Sequence, residues 1–140
     1  MDRFIEEYKK LPQNIKNRLV IENDDKTYNA NDILYISKKT GAPILFDYFH
    51  HLLNHESYLD SKKVIRRCMR TWKKEKDGIP KIHYSQQATG KRTGSHSLTI
   101  STPEFIEFYN TLPKNIDVML EVKDKDISAL KCIELTKKLK

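Results

Sequence analysis

Glycine and cysteine are scarce in this chain, with four Gly and two Cys in 140 residues. So little glycine excludes a collagen-like or Gly/Ser-linker protein, and two cysteines exclude a disulfide framework. Cys68 and Cys132 lie far apart, each inside an amphipathic helical pattern and neither in a CxxC. They read as reduced packing residues of a cytosolic protein. Also missing is any apolar run approaching the ~18 residues of a membrane span. The start, Met1-Asp2-Arg3-Phe4-Ile5-Glu6-Glu7, is acidic and amphipathic, whereas a secretory leader is basic and then apolar. The chain therefore reads as soluble, unexported and cytoplasmic.

What is present supports one core. A hydrophobic content of 38% suffices for a single domain over residues 1–140, and a chain of this size can bury about two thirds of its unfolded surface. Charged residues make up 32%, with a net charge of +7. No amphipathic anchor or lipidation signal accompanies that charge, so the favoured partner is a polyanion, nucleic acid first, and not a membrane.

Periodicity sets out the elements. Phe4, Ile5 and Tyr8 give a helix over 2–10, closed by Pro12, and Arg18-Leu19-Val20-Ile21-Glu22 reads as the first strand. A polar loop at 23–26 leads to a helix over about 30–40, stopped by Gly41. Pro43 opens the second strand, 43–47, and Tyr48–His55 forms a short helix at its exit. A longer helix over 61–75 buries Val64, Ile65, Cys68, Met69 and Trp72. Its other face, Lys62, Lys63, Arg66, Arg67, Arg70, Lys73 and Lys74, reads as a solvated outer wall. The third strand covers 80–84, followed by an unstructured Gly/Ser/Thr-rich loop at 85–97. Thr102-Pro103 reads as N-cap and first position of a helix through Asn110. Strand four at 116–122 and a helix over 124–138 complete an α-β-α-β-α-β-α-β-α order. Strands alternating with helices imply right-handed crossovers and a parallel sheet. Four such units make half of a TIM-like (β/α)₈ barrel.

Each strand also ends on a metal-binding side chain: Glu22, Asp47, His83 and Glu121. Apolar strands with such ends place their ligands in one ring at the C-terminal mouth of a parallel barrel. Each carboxylate alone can ligate a metal, act as a base or cap the next helix. Asp47-x-x-His50 is more specific, because that spacing brings carboxylate and imidazole to one helix face. Lys81 lies two residues from His83 and shares its side of the strand, where a lysine needs a partner, neutralisation or modification. His96 alone reads as an exposed loop residue, and His51 and His55 as packing or surface histidines. A mixed oxygen and nitrogen ligand set suits Mn²⁺ or Zn²⁺ better than Ca²⁺ or a thiolate metal.

The runs Leu19–Asp25 (LVIENDD), Leu45–His51 (LFDYFHH), Pro80–Ser85 (PKIHYS), His96 and Leu120–Lys125 (LEVKDK) resemble, in order and spacing, the successive motifs of the UV damage endonucleases. The resemblance implies a TIM barrel of the apurinic-endonuclease and xylose-isomerase-like superfamily, with a multi-metal site. It implies Glu22, Asp47, His50, His83, His96 and Glu121 as ligands, and catalytic roles for Lys81, Glu22 and Glu121. It implies DNA repair by metal-dependent cleavage of the backbone 5′ to UV photoproducts in damaged duplex DNA. Manganese is the first choice of ion, with zinc or magnesium as alternatives. Lys91, Arg92 and Lys123 are the choices for binding flanking phosphates.

Members of that family are about twice this long, so the resemblance covers the C-terminal half of their barrel and implies a partial copy of the enzyme, inactive alone. Half a barrel has two open edge strands, near 18–22 and 117–122, and uncovered apolar surface. Self-association, or pairing with a separate N-terminal half, is the expected remedy. Two other readings stand: a non-catalytic half-barrel remnant or interaction module, and a sugar isomerase of the same superfamily.

Overall fold

The computed structural model describes residues 1–55 and 60–137. Four strands, β1 (Ile21–Glu22), β2 (Ile44–Asp47), β3 (Lys81–Tyr84) and β4 (Asp117–Leu120), form one sheet in the order β1-β2-β3-β4. Every neighbouring pair is parallel. Parallel neighbours in chain order need a crossover between each pair, and helices provide it. The helices are α1 (Asp2–Lys10), α2 (Gln13–Lys16), α3 (Ala30–Thr40), α4 (Tyr48–Leu53), α5 (Ser61–Met69), α6 (Lys74–Asp77), α7 (Thr102–Tyr109) and α8 (Asp126–Lys137), of which α3, then α4 to α6, then α7 lie in the three crossovers. The architecture is half of a TIM-like α/β barrel, as the strand and helix pattern implies.

The helices start and stop where local chemistry dictates. Asn29 caps α3 by accepting from the amides of Asn31 and Asp32, while the Asp32 carboxylate accepts from the Asn29 amide. Such a reciprocal box satisfies donors that the first turn leaves unpaired. Gly41 ends the same helix at φ 75°, a left-handed conformation that a side chain disfavours. Helix α5 places Val64, Ile65 and Cys68 inward. The core between sheet and helices is built from Ile33, Ile44, Phe46, Val64, Ile65 and Ile82, each at most 2% exposed. Burial stabilises each by about 1.5–3 kcal/mol. Both cysteines are free and buried, and burial pushes the Cys68 thiol up to about 12 and the Cys132 thiol up to about 11.

Several boundaries differ from the sequence reading. The helix expected over 61–75 breaks after Met69, because Thr71 and Trp72 turn in to bond the start of β2. Thr71 Oγ1 accepts from the Ile44 amide at 2.9 Å, and Trp72 Nε1 donates to the Ile44 carbonyl at 2.7 Å. Those bonds outweigh helix continuation, and α6 begins only at Lys74. Strand β1 is two residues and not five: it has a partner on one side alone, and Arg18–Val20 serve as the approach from α2, a helical turn that the sequence reading missed. The cap of α7 is Ser101, one residue earlier than expected. Lys138, the expected end of the last helix, lies outside the described residues.

The loop at 85–97 is folded and not unstructured. Ala88 donates to Ser95 at 2.7 Å, Ser97 donates to Gln86 at 2.9 Å, and Gln87 pairs with His96 in an antiparallel bridge. β1 and β4 are the sheet edges, and Val20 and Met119 beside them are 38% and 46% exposed.

Candidate metal centre

The parallel register fixes where the strand-end side chains meet. Glu22 pairs with Leu45, Asp47 with His83 and His83 with Met119, so Glu22, Asp47 and His83 share one sheet face at one end. Glu121 follows β4 directly, its amide held by the Tyr84 carbonyl at 2.9 Å. His83 sits at the centre. Its Nδ1 lies 3.2 Å from Glu22 Oε1, 2.9 Å from Glu121 Oε1 and 3.9 Å from Asp47 Oδ2.

The remaining two histidines join from loop and helix. His50 Nδ1 is 3.8 Å from both Glu22 and Asp47 and 2.9 Å from the Asn23 carbonyl. It arrives there because Asp47 caps α4, with Oδ1 accepting from the His50 amide at 2.7 Å. His96 Nδ1 is 3.0 Å from the Glu121 carbonyl and 3.8 Å from its Oε2, and the ring stands edge-on to Phe49. The structure thus brings together all six residues that the resemblance names as ligands. Among the described residues, Glu22, Asp47 and His83 offer ligand atoms within 4.8 Å of one another.

Carboxylates and imidazoles this close together shift one another's protonation. Burial raises the Asp47 pKa above the usual carboxylate range; the His50 amide and the His50 charge oppose that, while Glu22 and Glu121 add to it. The His83 pKa is also raised, first by its hydrogen bond to Glu22, then by the Glu22, Glu121 and Asp47 charges, with burial opposing. Asp47 Oδ2 is buried and has no hydrogen-bond partner. A buried carboxylate oxygen without a donor is costly, and a divalent cation between Asp47, Glu22 and His83 would supply its partner. The residues present therefore fit a metal of the oxygen and nitrogen class.

Other candidate residues lie farther out. The ammonium of Lys81 is 4.0 Å from Asp117 and over the Trp72 ring, so its recorded partners are not the six ligands. Lys91, Arg92 and Lys123 are exposed. Lys91, Lys123 and His96 line one cleft of about 460 Å³. His51 is buried against Phe46 and does not face the ligands, while His55 is exposed.

Two positioning residues escaped the sequence reading. Asn23, 1% exposed, donates from Nδ2 to the Asp47 carbonyl and accepts at Oδ1 from the Asp47 amide, both at 2.9 Å. It clamps β1 to β2 beside two ligands. Gln87 organises the loop that carries His96: Nε2 donates to the Ala88 and Arg92 carbonyls at 3.0 Å, and Oε1 accepts from Gly94 at 2.8 Å. Both residues act on the main chain, which leaves no periodic mark in a sequence.

Comparison with known proteins finds relatives along the whole chain. The family described as UV-endonuclease UvdE matches residues 1–140. The UV DNA damage endonuclease of Clostridium perfringens (strain 13 / Type A) is 42% identical over 139 residues, which is 99% of this chain and 34% of that protein. The UV DNA damage endonuclease of Bacillus pumilus (strain SAFR-032) is 35% identical over 138 residues, 96% of this chain and 42% of that protein. The crystal structure of SacUVDE superposes with a TM-score of 0.92 at 44% identity, covering 99% of this chain and 46% of that one. This chain thus spans less than half the length of these relatives, and over that span it belongs to the UV-endonuclease UvdE family.

Proposed function

We propose that this chain supplies the C-terminal half of a metal-dependent endonuclease acting 5′ to UV photoproducts in duplex DNA, with Mn²⁺ as the working ion. The observation that carries the reading is the convergence of four strand-end side chains, with His50 and His96, beside the unpartnered Asp47 Oδ2. Glu22, Asp47 and His83 would hold the ion, with Glu121, His50 and His96 beside them. A divalent ion in such a site lowers the pKa of a bound water and neutralises charge on the phosphate. The chain's own part is to keep three carboxylates at fixed separations through β2, β3 and the Asn23 clamp. Lys91 and Lys123, beside His96, would neutralise flanking phosphates, which makes affinity fall with salt. Lys81, on the same face below His83, is proposed as the further catalytic group.

The chain's share of its relatives' length, with Val20 and Met119 exposed, supports a further element of the reading. Four strands from a second polypeptide segment or copy would close the barrel and complete the ligand ring. Metal analysis together with nicking of irradiated and untreated plasmid in Mn²⁺ tests the proposal. Bound metal is expected of the chain alone and selective nicking of irradiated DNA once the second segment is supplied, both lost in His83→Ala or Glu121→Gln while DNA binding persists. Neither bound metal nor nicking would favour the non-catalytic half-barrel instead.

A further inference from the structure

The positive excess of the chain is concentrated on one stretch of its outer wall. Between Asp60 and Asp77, residues 62–76 hold eight of the 26 basic residues and one of the 19 acidic ones. The rest of the chain carries 18 of each sign, so this stretch accounts for the whole net charge of +7. All eight cations, Lys62, Lys63, Arg66, Arg67, Arg70, Lys73, Lys74 and Lys76, are exposed. Among the described residues, the one ion pair made by this stretch is Lys76 with Asp77, at 3.5 Å.

A second observation comes from elements distant in sequence. Lys9 of α1, Lys16 of α2 and Lys39 of α3 converge with Lys73 and Lys76 on a cleft of about 340 Å³ that also includes Gly41. Gly41 lies just before β2, and α6 lies just before β3, so the cleft is at the strand-start end, opposite the metal ligands. Two of the five lysines have carboxylate partners, Lys9 with Glu6 at 2.8 Å and Lys76 with Asp77. Lys16 donates to the Lys9 carbonyl, and Lys39 lies over the Tyr35 ring. Five like charges around one cleft repel each other unless an anion joins them. Lys73 belongs to both the cleft and the basic stretch, which makes the two one surface.

We propose that this outer wall is a second nucleic-acid surface, one that holds the phosphate backbone without reading sequence, apart from the strand-end site. Residues 62 to 70 run about 12 Å along α5, and a duplex presents one negative charge per about 1.7 Å of its axis. The chemistry of the face selects nucleic acid over an acidic protein. Protein interfaces are built around an apolar or aromatic centre, and no large hydrophobic side chain is exposed among residues 61–76. Arginine forks and lysine point charges are phosphate-binding groups.

The test is the salt dependence of binding of an undamaged, fluorescent 20-base-pair duplex to the full chain. Replacing Arg66, Arg67 and Arg70 together by Gln, a good helix former, removes three cations from an exposed face. The slope of log affinity against log salt should become shallower by about 2.7, with at least a tenfold loss of affinity at low salt. Metal binding stays unchanged, so failure of the endonuclease reading and failure of this one give different results. A second variant, Lys39→Gln with Lys73→Gln, probes the cleft and should make the slope shallower by about 1.8. Unchanged slopes in both folded variants, with loss confined to Lys91→Gln and Arg92→Gln, would overturn the proposal. So would displacement of the duplex by polyglutamate at equal charge concentration, which would make the face a site for acidic protein.

Discussion

Strands β2 and β4 both bring a carboxylate to the candidate metal centre, yet they hold it differently. β2 has a strand on each side, and its Asp47 side chain is 0% exposed, with the main chain held by Asn23 and the carboxylate by the His50 amide of the α4 cap. β4 has one neighbour, every second residue of it is exposed, and the Glu121 side chain is 35% exposed. The difference teaches that preorganisation of a ligand here follows the number of neighbours its strand has. A central strand delivers a fixed carboxylate, whereas an edge strand leaves one that is placed by a single ladder.

The sharpest way to break that comparison is to delete each carboxylate and titrate Mn²⁺ calorimetrically. Asp47→Ala should weaken binding at least ~100-fold and Glu121→Ala about 10-fold, since ligands fixed by outer partners carry more of the affinity. Equal losses would mean that the edge position is as well organised as the central one.

Next in size is Asn23→Ala. It removes two hydrogen bonds to the Asp47 main chain and leaves buried groups short of partners, at a cost of about 2–3 kcal/mol in urea unfolding. A loss below about 0.5 kcal/mol would show that β2 holds Asp47 without help from β1.

The same site sets a pH dependence in the metal-free chain. The His83 pKa is raised above its ordinary 6.5, so the stability it contributes is complete below pH 6.5 and disappears as pH rises through the folded-state value. Asp47 has the same sign: raised above 3.8, it favours the fold below pH 3.8 and that contribution is lost as pH rises through its folded value. In EDTA the urea midpoint should therefore fall between about pH 6 and 8, and His83→Gln should flatten the fall. Excess Mn²⁺ should reverse the trend, because a metal competes with protons for these groups. A midpoint that is flat in the parent chain in EDTA would contradict the coupling between His83 and its carboxylates.

The sequence makes some of this architecture plain and hides the rest, for physical reasons. Apolar runs ending on Glu22, Asp47, His83 and Glu121 mark both the sheet and the cluster of polar side chains at its end, because a buried parallel strand needs a continuous apolar run and its polar end falls at the mouth. Asn23 and Gln87 are hidden because each spends its side chain on main-chain groups, so both sit in stretches that read as polar loop. The break of α5 is hidden because Thr71 and Trp72 fit helical periodicity as well as they fit the Ile44 peptide. Short β1 is hidden because Arg18–Val20 carry strand-like residues that lack a second neighbour to pair with.

The smallest expected effect probes the edge itself. Met119 lies on the ligand face of β4, opposite His83, and is 46% exposed, while Ile82 on the neighbouring strand is 0% exposed. Met119→Glu should change the stability of the dilute chain by less than about 0.5 kcal/mol, the usual range for a surface site. Ile82→Ala should cost about 2–5 kcal/mol, as for other buried large-to-small changes. At high concentration the two chains should part company: a charge on an open edge opposes strand pairing, so light scattering should show less association for Met119→Glu than for the parent. A large loss of stability at dilute concentration would mean that this face is already covered within one chain. The contrast between a closed central strand and an open edge would then fail at its most exposed residue.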